Sequence, residues 1–301
     1  MDTSERILLI ASPSLHKTPA FERAVALARA KDCPLHIAAL DHLEGLATSL
    51  LVDPSAMEKA RRNYVDRHHQ WLIDQTRPLQ AMGIKVSSQV IWCENPVAET
   101  VALVHDLTPS VVIKDVQQEG LLKRALFTTQ DIHLLQGCPV PLHLVSRAEN
   151  AVPRNLLVAV DLFDQETHGP QVNAELIKQG LKLGEQCNAD VHLLYTYDLS
   201  SMDAAEAGFG HPGQWHTTHL ASELHLQQEQ AFAAMADDFG FPETNRHLIT
   251  GYPGKVITAL AQHRQMDMIL LARVQRRGLG KWLGGTAEYC LYRMHSSLWL
   301  L

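Results

Sequence analysis

The sequence predicts an α/β fold built twice: two tandem domains, each an open five-stranded parallel sheet with helices on both faces. Three observations predict it. The chain has 301 residues, about twice the length of a common single domain. Short continuous apolar runs at residues 7–11 and 156–160 stand at matching places in the two halves, as suits strands buried on both faces of a parallel sheet. After each run the apolar spacing changes to that of an amphipathic helix, and the alternation continues, so each half reads β-α-β-α-β-α-β-α-β.

The first helix of the first half carries Phe21, Ala24, Val25 and Ala28 at the i, i+3, i+4, i+7 spacing, with Pro19 in its first turn. Its counterpart carries Ile177, Gly180, Leu181 and Gly184, and the two glycines let that helix lie close to a sheet. Second strands follow at 35–39 and 191–195. Long amphipathic helices then carry Met57, Tyr64, His68 and Trp71 in one half and Leu224, Ala231, Phe232 and Met235 in the other. Third strands at 86–92 and 247–250 lead into helices opened by Pro96 and Pro253. Fourth strands fall at 111–113 and 269–271, and last strands at 141–145 and 298–301. A polar stretch, 146–154, links domains placed at 1–149 and 150–301. Matching positions lie 149 apart at Ile7 and Leu156 but 158 apart at Thr128 and Thr286, so the second half carries a net insertion, placed at 200–218.

Composition narrows the function classes. With 26 Lys plus Arg against 33 Asp plus Glu, a net charge of −7 gives no general attraction to nucleic acid or anionic lipid. The apolar runs are far too short to cross a bilayer. Residues 1–6 are polar and only five apolar residues follow, so no secretory signal is expected. Five scattered cysteines without a CxxC motif suit a reducing, cytoplasmic setting, and they are expected to pack as small apolar residues. No nucleophile–base arrangement, H-E-x-x-H motif or suggestive carboxylate pair is present.

In an open α/β sheet, ligands bind beyond the carboxyl ends of the strands, where strand order reverses. The stretch after the fourth strand of the second half, residues 272–286, holds four glycines together with Arg273, Arg276, Arg277 and Lys281. Glycines permit close backbone approach, and a following helix capped by Thr286 offers N–H groups to a phosphate. It is neither a Walker A loop, since Trp282 follows Gly280-Lys281, nor G-x-G-x-x-G. A surface loop using glycine only to turn fits the composition equally well.

The spacing of this stretch resembles the nucleotide loop of the universal stress protein family, G-x-x-G followed by nine residues and G-[S/T]: Ala272, two residues, Gln275, nine residues, then Gly285-Thr286. Both halves are similar to that family, most of all to its tandem E-type members; residues 127–139 are especially reminiscent of the E-type first domain. The resemblance implies a Rossmann-like, adenine-nucleotide alpha hydrolase-like fold, with the two domains forming a pseudo-dimer through their last strands and the whole chain a homodimer. It implies that Asp161, at the end of the first strand, receives adenine, and that Ala272, Arg273, Gln275, Gly285 and Thr286 cradle the ribose and phosphates of ATP. Ala272 and Gln275 replace the two leading glycines. In the first half Ser12 replaces the aspartate, the loop spacing puts Lys114 and Gln117 at the glycine positions, and Phe127 precedes Thr128, so that domain is expected to be degenerate.

Histidine is abundant, with 17 residues, and most are scattered; His36, His143 and His192 on strands read as structural. His211, His216, His219 and His225 are denser. Imidazoles at i and i+3 can chelate zinc, which makes His211, His216 and His219 candidate ligands. The functional expectation is a cytoplasmic stress-response protein that binds an adenine nucleotide in its second domain as a sensor or regulatory module, with at most slow hydrolysis. The competing expectation is a scaffold or ligand carrier that binds no ATP and whose first-domain pocket holds another ligand.

Overall fold

The computed structural model describes residues 5–12, 15–41, 53–116, 130–146, 149–162, 169–198, 215–273, 285–291 and 293–301. The chain divides into two compact units, Met1–Val152 and Pro153–Leu301. In the first, the elements run β1 (Ile7–Ala11), α1 (Pro19–Ala30), β2 (Leu35–Asp41), α2 (Pro54–Ala81), β3 (Val86–Trp92), α3 (Pro96–Leu107), β4 (Val111–Asp115), α4 (Gln130–Gly137) and β5 (Leu142–Val145). In the second they run β6 (Asn155–Val160), α5 (Gly169–Cys187), β7 (Asp190–Tyr197), α6 (Trp215–Asp238), β8 (Arg246–Thr250), α7 (Pro253–His263), β9 (Met268–Leu271), α8 (Gly285–Leu291) and β10 (Ser297–Leu300).

All strand pairs within a unit are parallel. The first unit orders its strands β3-β2-β1-β4-β5 and the second β8-β7-β6-β9-β10. The order therefore reverses between β1 and β4, and again between β6 and β9, which makes the carboxyl edge of each of these pairs a switch point. β1 and β9 are buried throughout, as their continuous apolar runs require, and β5 and β10 are too, although they include His143 and Ser297.

The helices follow from their end signals and apolar faces. Thr18 caps α1 by accepting from the Phe21 N–H at 3.3 Å, and Pro19 opens it. Asn95 caps α3 in the same way through the Ala98 N–H, 3.0 Å away. On α5, Gly180 and Gly184 press against the sheet: a Cβ on them would lie 2.4 Å and 2.3 Å from Val158 Cγ2 and Val191 Cγ2. That close approach is the role the helical spacing assigned to them. All five cysteines are buried and none forms a disulfide.

Three buried polar side chains have no place in an apolar-periodicity reading. Arg23 on α1 is fully buried, and its guanidinium donates to the Asn150 carbonyl at 2.8 Å, tying α1 to the end of its unit. Lys114 on β4 and Asp131 in the first turn of α4 form a buried ion pair, and Lys114 also donates to the Asp115 carbonyl at 3.0 Å.

Candidate functional site

In the second unit, β6 and β9 pair through Leu156–Met268, Leu157–Ile269 and Val158–Leu270. Asp161 and Arg273 each lie three residues beyond the last of these pairs, so they stand level on adjacent strands at the switch-point edge. Asp161 is exposed, while Ala272 and Arg273 are half-buried. The Arg273 N–H donates to the Leu301 carbonyl at 2.8 Å, which carries the β9–β10 ladder past the end of both strands. The first unit repeats this bond from Val116 to Val145 at 2.9 Å.

Asp161 is held by a side chain from α5. The buried Asn173 amide accepts from the Asp161 N–H at 3.2 Å and donates to the Asp161 carbonyl at 2.6 Å. It thus meets the Asp161 peptide groups as a neighbouring strand would. Beside it on β7, Tyr195 pairs in register with Val160 and donates its hydroxyl to Gln228 on α6 at 3.0 Å. Burial pushes the Tyr195 phenol pKa up, and the negative charges of Asp161 and Tyr197 add to the effect. Neither Asn173 nor Tyr195 was singled out from sequence. An asparagine with no motif around it gives no signal of a bond reaching twelve residues back.

Gly285 and Thr286 are placed by the packing of α7 against α8. The Tyr289 ring covers Gly254, where a Cβ would lie 2.7 Å from the ring, and the Arg293 guanidinium lies over the same ring, 4.2 Å from its centroid. Tyr252 meets Tyr289 edge-on at 5.7 Å, and its hydroxyl lies 3.5 Å from where a Gly285 Cβ would stand. Gly285 is exposed, and among the described residues no other heavy atom comes within 4 Å of that Cβ position. The helix begins at Gly285, so Thr286 lies inside its first turn and not ahead of it as a cap. Asp161, Ala272, Arg273, Gly285 and Thr286 are thus described, the first three of them at one sheet edge. Gln275 and residues 276–284 lie outside the described residues.

At the corresponding edge of the first unit the sheet register corrects the loop-based alignment. Ile7 pairs with Val111 as Leu156 pairs with Met268, which sets Asp115, and not Lys114, opposite Ala272. A ladder fixes residues pair by pair, whereas counting back from Thr128 carries any length change in the intervening loop into the strand. Asp115 accepts from the Ala20 N–H at the start of α1 at 3.1 Å. Burial raises its carboxyl pKa, partly offset by the Thr18 hydroxyl and the Ala20 N–H. Gln117, Phe127 and Thr128 lie outside the described residues.

Of the histidine candidates, His211 lies outside the described residues; His216 and His219 fall on the α6 backbone, but their side chains are likewise outside the description. His225, in the same group, is hydrogen-bonded to the Tyr197 hydroxyl. Among the described residues no group of three or more His, Cys, Asp or Glu side chains is arranged to hold a metal ion. The strand histidines are packed into the sheets: His36 bonds Ser87 at 2.8 Å, and burial with the nearby Arg23 holds the fully buried His143 well below the usual imidazole pKa. Among the described residues no helix is long and apolar enough to cross a membrane.

Each unit is therefore a five-stranded Rossmann-like α/β module whose strand order reverses at the first-to-fourth strand crevice, and the chain is a tandem of two. The chain belongs to the universal stress protein family, whose model matches residues 3–146 and 153–301. It is 27% identical over 301 residues to universal stress protein E of Escherichia coli K12, covering 98% of this chain and 92% of that one. It is 26% identical over 303 residues to a universal stress protein E homolog of Haemophilus influenzae, covering 98% and 96%. In fold it is similar to a Pseudomonas aeruginosa PAO1 protein of unknown function, with a TM-score of 0.74 and 21% identity over 99% of this chain and 92% of that one. A universal stress protein from Archaeoglobus fulgidus gives a TM-score of 0.65 and 15% identity over 98% and 95%.

Proposed function

We propose that this stress-response protein binds an adenine nucleotide at the β6–β9 edge of its second unit and acts as a sensor or regulatory module. The observation that carries the reading is the placement of Asp161, an exposed carboxylate held in position by Asn173, level with Arg273 at the switch point. Asp161 accepts from the exocyclic amine of adenine. Ala272, Arg273, Gly285 and Thr286 frame the ribose and phosphates, with Gln275 on the same loop. Gly285, whose Cβ position meets the Tyr252 hydroxyl at 3.5 Å, lets the backbone come close to a phosphate there. Arg273 contributes cationic charge at the same edge. No general base is identified among these residues, so binding, with at most slow hydrolysis, is the activity proposed. The family membership supports placing the protein in the cytoplasm as a homodimer of tandem chains.

The competing reading, a carrier whose first-unit ligand edge holds another ligand, is less well supported. At that edge Asp115 takes the start of α1, and Lys114 with Asp131 forms a buried pair beside it. A groove of about 860 Å³ does lie in the first unit, but along α1 and the end of α2, lined by Phe21, Val25, Leu79, Met82 and Val152, and not at the strand edge.

Calorimetric titration with ATP and Mg²⁺ tests the proposal. Saturable heat that disappears in Asp161→Ala is the expected result. Absence of binding at millimolar nucleotide overturns the sensor reading.

A further inference from the structure

We infer that the chain associates with a second copy of itself by seating the Leu226 face of α6 in the apolar groove between α1 and the end of α2. The inference rests on the homodimer reading above and deepens it by assigning the surfaces that meet. Large apolar side chains left in water mark both surfaces. Of those exposed among the described residues, Met82 at 63% and Val152 at 40% stand in the groove, and Leu226 at 52% stands on α6. The groove is floored by the buried Phe21 and Leu79 and the half-buried Val25. Met82, Val152 and Leu226 keep these exposures in the complete single chain, so both surfaces are open to a partner.

A lone exposed leucine is ordinary on a protein surface; the charges around this one give it a matching partner. On a helix, the residues three before and three after a given position lie about 60° to either side of it. Glu223 and Glu229 therefore flank Leu226 on both sides, and both are exposed. The groove carries the opposite charge at its two ends, with the exposed Lys17 just before α1 and the exposed Arg29 in its last turn. Among the described residues none of these four groups is in an ion pair. Glu22 stands between the two cations in sequence, so an unbroken acidic run would meet a like charge there. Glu223, Leu226 and Glu229 instead place an apolar side chain between two carboxylates. An apolar centre with complementary charge at its rim is the ordinary anatomy of a protein interface. The contact joins two different surfaces, and two such contacts made reciprocally about a two-fold axis close a dimer.

The test is sedimentation velocity over a range of concentrations, on the full-length chain and three variants. One reverses the groove charges (Lys17→Glu with Arg29→Glu), one reverses the helix charges (Glu223→Lys with Glu229→Lys), and the third is Leu226→Gln. All five positions are exposed, so the fold is expected to survive, and circular dichroism checks that it does. The unaltered chain is expected to dimerise. Each reversal sets like charge against like and is expected to raise the dimer dissociation constant by about tenfold or more. Leu226→Gln removes the apolar anchor and is expected to do the same. Mixing the two reversed proteins is expected to restore association, because the acidic groove then meets a basic α6 while the second contact keeps its native charges. A general effect of net charge would weaken the groove reversal, which makes the chain more negative, and strengthen the helix reversal, which makes it less so; that result overturns the inference. Dimerisation unchanged in all three variants also overturns it and leaves the homodimer reading standing on another surface. An unaltered chain that stays monomeric overturns both the homodimer reading and the interface assigned to it.

Discussion

His192 Nδ1 lies 3.0 Å from His247 Nε2, with the rings stacked at 5.2 Å across β7 and β8. One nitrogen must donate and the other accept, so the contact requires at least one neutral ring. Burial lowers the pKa of His247 to about 4, helped by the charges of His192 and Arg264. Burial also lowers that of His192, with Arg264 adding to the effect and Asp190 opposing it. Below pH 6.5 the unfolded chain therefore binds protons that the folded one refuses, and stability falls as pH drops from about 6.5 toward 4.

Such a shift at full strength corresponds to about 3 kcal/mol. His247 is only half-buried, so screening reduces the expected loss to about 1–2 kcal/mol. Urea midpoints at pH 7 and pH 5 are expected to differ more in the unaltered protein than in His247→Gln. Glutamine is the apt replacement, because Gln89 holds the matching register position in the first unit. Equal pH dependence in the two proteins would show that the pair is not responsible.

The Lys114–Asp131 pair makes a second prediction. Both side chains are buried, so removing one partner strands a charge. Lys114→Ala or Asp131→Asn is expected to cost about 3–5 kcal/mol, whereas Lys114→Met combined with Asp131→Leu is expected to fall near neutral. Chemical denaturation of the four proteins checks it. A double variant as unstable as the singles would mean that the pair holds α4 in a way hydrophobic packing cannot replace.

What the sequence disclosed and what it did not divide along physical lines. Strands buried on both faces leave a signal that survives without partners: β1 and β9 are read directly from Ile7–Ala11 and Met268–Leu271. Gly180 and Gly184 were legible for the same reason, since helical spacing puts them on the face that meets the sheet. Lys114, Asn173 and Arg23 were not. Each owes its position to a partner distant in sequence: Asp131 is 17 residues from Lys114, and Asn150 is 127 from Arg23. Periodicity sorts residues by face, but it does not report which polar group on a buried face will find a complement. The candidate site shared this limit. Asp161 and Arg273 could be named from the family resemblance, but their common height at the edge needed the β6–β9 register.

Gly180 and Gly184 can be tested against a glycine that carries no such constraint. An alanine at 180 would bring its Cβ within 2.4 Å of Val158 Cγ2, the branch of a stiff side chain on a buried strand. Overpacking of this kind costs about 1–3 kcal/mol, which exceeds the roughly 1 kcal/mol that alanine gains in helix propensity. Gly180→Ala is therefore expected to destabilise, and a double-mutant cycle with Val158→Ala to show a favourable coupling. At Gly137, the last residue of α4, no described atom lies within 4 Å of the Cβ position, and Gly137→Ala is expected to be neutral or stabilising. Equal effects at 180 and 137 would contradict the close helix–sheet approach.

The two switch-point edges predict the stoichiometry of nucleotide binding. In the second unit the carboxylate stands at the end of β6, as Asp161, and the facing strand ends in Ala272. In the first unit the arrangement is exchanged: Ser12 follows β1, and Asp115 stands at the register place of Ala272. In the proposed site a carboxylate at the end of β6 would meet an amine-bearing base, but one at the place of Ala272 would meet the ribose–phosphate side of the same ligand, where its charge would repel and its side chain would take up space. The Lys114 ammonium beside it is already paired with Asp131 and offers little compensation. Calorimetric titration with ATP is therefore expected to give one site per chain, and none in Asp161→Ala. Two sites in the unaltered protein, or one surviving in Asp161→Ala, would place binding at the first-unit edge and require Asp115 to move away from the Ala20 N–H.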